Sequence, residues 1–112
     1  MELVEEVYRA TRSFPREELF GLSSQMRRAA VSVPSNIAEG KGRYSQKELI
    51  QFLYKARGSL MELETQIELA CRLAYLETKV ARALAAKTIE VIRMLNGLIN
   101  RFREELQVTS EA

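Results

Sequence analysis

Residues 45–74, SQKELIQFLYKARGSLMELETQIELACRLA, decide the fold of this chain. Ser45 followed three positions later by Glu48 has the form of a capping box, in which each side chain satisfies a backbone N–H at the other's position. From there Leu49, Leu53, Ala56, Leu60, Leu63, Ile67, Ala70 and Ala74 recur at alternating steps of four and three. Such a seam predicts one long amphipathic helix whose apolar side faces other helices.

Working outward, the stretch from about Thr78 to Leu106 repeats the pattern with Ala81, Leu84, Thr88, Val91, Leu95, Leu98 and Phe102. The short link YLET predicts an antiparallel hairpin of these two helices. On the other side a helix is expected from about Ser23 to Glu39, with Met26, Ala29, Ala30, Val33 and Ile37 on one face and Gly40 and Gly42 ending it. Glu2 to Thr11 carries a stripe of Leu3, Val4, Val7 and Tyr8. Between these two, SFPREELFGL holds Ser13 as a candidate cap, Pro15 at a first helical position and Gly21 as a stop. No strand pattern is evident. The expectation is an all-α, up-and-down four-helix bundle, with residues 1–112 forming a single domain, since two cores would each be marginal at 112 residues.

Pro34 falls inside the second helix. It removes a backbone N–H and crowds the carbonyl four residues earlier, so a kink is expected, with the Ser32 and Ser35 hydroxyls meeting the freed carbonyls. Gly58, inside the third helix beside Ser59, predicts close approach of another backbone. The helices also carry apolar residues beyond one stripe each: Ile50, Phe52, Leu69 and Leu73 on the third, Ala85, Ile89, Ile92 and Ile99 on the fourth. Apolar surface in excess of what one chain can cover points to self-association.

Composition narrows the function. With 46% hydrophobic and 29% charged residues, the chain can bury a core and is not of the disordered class. No apolar run reaches the ~20 residues of a membrane span, and the start MELVEEVYRA lacks the layout of a secretory signal. One cysteine, Cys71, cannot close an internal disulfide. These features favour the cytoplasm. The chain has no histidine, so the commonest general base and zinc ligand are missing. No phosphate-cradling glycine loop or paired-cysteine motif occurs either. No enzyme activity, metal site or cofactor is expected.

Charge is unevenly placed. Residues 23–58 hold seven cations against Glu39 and Glu48, a net of +5 in a chain whose total is +2. A local positive field attracts phosphate whatever the average charge. Arg27, Arg28, Lys41, Arg43, Lys47, Lys55 and Arg57 are therefore the candidate nucleic-acid-binding residues, expected on one outward patch. Arg28, Ser32 and Ser35 share a helix side at spacings of four and three, and hydroxyls beside arginine suit phosphate oxygens. Asn36 is a further candidate donor. Tyr44 and Tyr54 are the aromatics near this region that could stack on a base.

The segment 14–70, FPREELFGLSSQMRRAAVSVPSNIAEGKGRYSQKELIQFLYKARGSLMELETQIELA, closely resembles the four-helix-bundle family encoded in 23S rRNA intervening sequences. A related branch is the accessory variability protein of diversity-generating retroelements. The resemblance rests on Phe14-Pro15, Gly21-Leu22, Gln25, Arg27-Arg28-Ala29, Ser32, Pro34, Asn36-Ile37-Ala38-Glu39-Gly40, Arg43, Gly58-Ser59 and Glu62-Leu63-Glu64. It implies a four-helix subunit that assembles into a homopentameric ring with a positive surface. For the retroelement branch it also implies binding to nucleic acid and to a reverse transcriptase. Family members usually carry an aromatic-bearing segment before the first helix, so a short first helix is expected here. The expected function is non-enzymatic binding of RNA or DNA through phosphate contacts. The alternative is a scaffold that docks a partner protein, with charge used for steering.

Overall fold

The computed structural model describes residues 1–111, with side chains described through Val108. It consists of α1 (Glu2–Thr11), a single 3-10 turn (Arg16–Glu18), α2 (Leu22–Lys41), α3 (Gln46–Arg72) and α4 (Thr78–Glu111). Among the described residues there is no strand, and no helix is long and apolar enough to cross a membrane. Contacts run from α1 to α2, α2 to α3, α3 to α4 and α4 back to α1, while the diagonal pairs α1–α3 and α2–α4 stay apart. The four helices thus stand at the corners of a square, as an up-and-down bundle requires.

The seam of α3 supplies the middle of the core. Leu53, Ala56, Leu60, Leu63, Ile67 and Ala70 are buried and Leu49 half-buried. They meet Met26, Ala30 and Val33 of α2, Leu3 and Val7 of α1, and Leu84, Val91, Leu95 and Ile99 of α4 in one hydrophobic cluster. Ile50 and Ile99, surplus to the sequence seams, are buried, whereas Leu69, Leu73 and Ile89 stay exposed. Exposed Val80, Met61 and Met94 add to that uncovered apolar surface.

The α2–α3 contact is the most extensive in the bundle. Gly40 does not end α2 but lies inside it, buried, and a Cβ there would sit 2.9 Å from the Phe52 Cβ and 3.0 Å from the Leu49 Cδ1. The helix ends at Lys41, two residues beyond the expected Glu39, with Gly42 as its C-cap. Pro34 leaves α2 continuous. The serine hydroxyls do not serve the freed carbonyl: the Ser32 and Ser59 hydroxyls share a hydrogen bond of 2.9 Å across to α3, and Ser35 is exposed. The Asn36 amide donates to the Ser32 backbone oxygen and hydroxyl, both at 2.8 Å. Gly58, by contrast, has nothing within 4 Å of a built Cβ, so no backbone approaches it within the chain.

Helix ends correct the sequence reading at several points. Ser45 does cap α3, its hydroxyl accepting from the Glu48 N–H at 3.3 Å. Pro15 precedes the 3-10 turn as its N-cap instead of opening a helix. Ala74, expected on the α3 seam, has left the helix with φ 63. Its N–H donates to the Cys71 carbonyl at 3.0 Å and the Tyr75 N–H to the Ala70 carbonyl at 2.9 Å, which is a Schellman motif with alanine where glycine is usual. The link YLET marks the connection, but alanine continues the apolar register, so the sequence does not show that Ala74 already belongs to it. α4 also runs beyond the expected Leu106, to Glu111.

The short α1 is fastened at both ends. Leu3 and Val7 are buried, and Lys87 Nζ donates to Glu2 Oε2 at 2.7 Å. That hydrogen bond and the charge attraction lower the Glu2 carboxyl pKa and raise that of the Lys87 ammonium. The bond's contribution is therefore lost as pH falls through the lowered Glu2 pKa, and again as pH rises through the raised Lys87 pKa.

Three backbone substitutions read these features by urea unfolding. Gly40→Ala should destabilise by about 1 kcal/mol or more, because the clash outweighs the gain in helix propensity. Gly58→Ala should stabilise by about 1 kcal/mol, since its Cβ meets open space. Ala74→Gly should stabilise by roughly 1 kcal/mol by relieving the left-handed strain.

Candidate nucleic-acid interface

The seven cations of residues 23–58 do not form one patch. Two residues along a helix turn a side chain by about 200°, so Lys55 and Arg57 of α3 must face opposite ways. Lys55 faces the α2 side, its ammonium 4.4 Å from the Phe52 ring centroid. Arg57 lies on the α4 side, where Nη1 donates to Asn96 Oδ1 at 2.8 Å and the guanidinium sits 4.7 Å from the Tyr54 ring. Tyr54 also accepts a hydrogen bond from Arg103 at 3.2 Å. Arg57 thus joins α3 to α4.

Arg27 is likewise committed within the fold. Half-buried, its Nε donates to Thr11 Oγ1 at 2.9 Å, and its guanidinium lies 4.9 Å from the Tyr8 ring. Thr11 is itself buried and donates to the Val7 carbonyl at 2.8 Å. The result is a clamp between α1 and α2. Arg28, about 100° around the helix, is exposed instead. It lines a polar groove with Gln25, Ser32, Ser59 and Glu62. The hydroxyls expected to serve phosphate are partly consumed there, because Ser32 is bound to both Ser59 and Asn36.

The remaining cations gather at the turn joining α2 to α3. Lys41 is the last residue of α2, where a cation complements the negative end of the helix dipole. Arg43, Tyr44 and Lys47 follow within six residues, all exposed. Arg43 pairs with Glu39 at 2.7 Å and lies 5.0 Å from the Phe52 ring, so Phe52 carries both Arg43 and Lys55. Among the described residues Lys41, Lys47 and Arg28 form no ion pair. Tyr44 is fully exposed, at 107% of its reference area. Two other features were not read from the sequence: the anchoring role of Phe52, and Phe20 at 92% exposure beside exposed Leu19 on the opposite turn. Phe52 stands next to Leu53 of the α3 seam, and a phenylalanine there looks the same in sequence whether it is core or anchor.

No cluster of three or more His, Cys, Asp or Glu that could hold a metal occurs among the described residues. The family model of the 23S rRNA-intervening sequence protein matches residues 1–97. The chain belongs to that family. A search of curated proteins gives no match. Among solved structures, this member of the 23S rRNA-intervening sequence protein family is similar to a crystal structure at 1.70 Å of a protein of unknown function, of the S23 ribosomal protein family, from Bacteroides thetaiotaomicron VPI-5482. The TM-score is 0.75 at 23% identity, over 86% of this chain and 87% of the other, which establishes the shared fold.

Arg27→Ala should cost about 1–2 kcal/mol in urea unfolding, because a hydrogen bond and a ring contact are lost at a partly buried site. Arg28→Ala, Lys41→Ala and Lys47→Ala should each change stability by less than about 0.5 kcal/mol. A double cycle of Arg27→Ala with Thr11→Val should be non-additive, which identifies the pair as one unit.

Proposed function

We propose that this protein is a non-enzymatic, cytoplasmic, homo-oligomeric nucleic-acid-binding protein that contacts phosphates through the basic turn between α2 and α3. The observation that carries the reading is the turn itself: Lys41 and Lys47 are exposed and, among the described residues, have no ion-pair partner, with Arg43 between them. Cations held this way release counterions when phosphate replaces solvent, a gain that does not depend on base sequence. Arg28 and Lys55 extend the surface along α2 and α3, while Arg27 and Arg57 support it from within the fold.

Assembly multiplies the effect. The exposed Met61, Leu69, Leu73, Val80, Ile89 and Met94 support self-association. The pentameric ring implied by the family resemblance would present five such turns at once. Several weak sites on one particle raise the apparent affinity through effective concentration.

A second reading is a scaffold that docks a partner protein, a reverse transcriptase being the kind implied by the retroelement branch. Exposed Phe20 and Leu19, flanked by Glu17 and Glu18, favour it, since a large exposed aromatic is a common anchor of protein interfaces.

Titration of labelled RNA and DNA at rising salt separates the two. Phosphate binding predicts a linear fall of log affinity with log salt. Lys41→Glu with Lys47→Glu should shallow that slope by about 1.4 or more for each engaged subunit, from about 0.7–0.9 per phosphate contact. Sedimentation of the variant should show the assembly unchanged. No binding at low salt overturns the nucleic-acid reading and leaves the scaffold.

A further inference from the structure

We infer that Tyr44 is a base-stacking platform and that the protein therefore binds unpaired strands in preference to duplexes. The inference rests on the phosphate-binding reading above and assigns it a substrate class. Its grounds are the state of the aromatic rings in the molecule. Phe14 packs on Tyr75 at 5.4 Å. Arg27 covers Tyr8, Arg43 and Lys55 occupy Phe52, Arg57 covers Tyr54, and Arg101 lies over Phe102. Tyr44 and Phe20 remain, and both are almost wholly exposed.

Charge distinguishes these two. Phe20 follows Glu17 and Glu18, whose carboxylates repel a phosphate chain. Tyr44 is flanked by Lys41, Arg43 and Lys47. A nucleotide offers a flat apolar base and an anion about one sugar away, and this turn offers an open ring and cations at neighbouring positions. In a duplex the base faces are already stacked on one another, so only the phosphates can be engaged there. A single strand can use both contacts, and base–aromatic stacking is tolerant of sequence. The ring of Tyr44 needs no rearrangement to accept a base, since none of the described side chains lies on it. The 2′-hydroxyl of RNA is irrelevant to this contact, so RNA and DNA single strands are both substrates of the class.

The test uses the full-length protein with oligo(U), oligo(dT) and a duplex of equal length, followed by anisotropy at one fixed low salt concentration. Wild type should bind both single strands more tightly than the duplex. Tyr44→Ala should lose at least about fivefold on each single strand and leave duplex affinity unchanged. Tyr44→Phe should restore single-strand affinity, because the ring and not the hydroxyl carries the contact. A strand carrying 2-aminopurine should show quenched emission with wild type and not with Tyr44→Ala. Equal losses on single strand and duplex overturn the assignment, as does no loss at all. A changed sedimentation coefficient for Tyr44→Ala also overturns it, because the ring would then serve contact between copies. Single-strand affinity that is unchanged in Tyr44→Ala but abolished in Lys41→Glu/Lys47→Glu sinks the stacking platform alone. Absence of any binding by wild type sinks both readings.

Discussion

Everything at the α2–α3 turn depends on how closely those two helices lie together. Gly40 lets the end of α2 settle against Leu49 and Phe52, and the Ser32–Ser59 hydrogen bond fixes the same pair near their middles. With two points of contact along the helices, their relative angle is set. The three residues between Lys41 and Ser45 then have little freedom, and the cations flanking them hold their spacing. A looser pairing would leave the same side chains on a mobile loop, where each would lose conformational entropy on meeting a ligand.

The arginines show how one residue type is divided between architecture and solvent by angle alone. Arg27 and Arg28 are neighbours in sequence, yet one clamps α1 through Thr11 and the other lines an open groove. Arg57 bridges to Asn96, while Arg43 is half neutralised by Glu39 and rests on Phe52. Guanidinium suits such bridging, because its donors are fixed in a plane that can stack and hydrogen-bond together. The lysines, compact and strongly hydrated, are the cations left in water at the turn.

The helical seams of α3 and α4 were legible because burial repeats at the period of the helix, and that period is written in residue type. The corners of α1, α2 and α3 were legible to within a residue or two where Ser45 or Gly42 marked them. Ala74 was not, because its left-handed turn is enforced by carbonyls of α3 and not by a residue suited to it. Gly40 and Gly58 look alike in the sequence, and only packing shows that one is pressed by a neighbouring helix and the other faces open space. The candidate site was legible as charge and not as surface. A count of seven cations says nothing of direction, and the 200° between Lys55 and Arg57 divides what composition joins.

The brevity of α1 has a kinetic consequence. A helix of ten residues is below the length at which isolated helices persist in water, so α1 exists by virtue of its docking. Its hold consists of Leu3, Val7, the Arg27 clamp and the Glu2–Lys87 bond. Of the four helices α1 also has the smallest contact with its neighbours. It is therefore the helix expected to open and exchange its amide protons first.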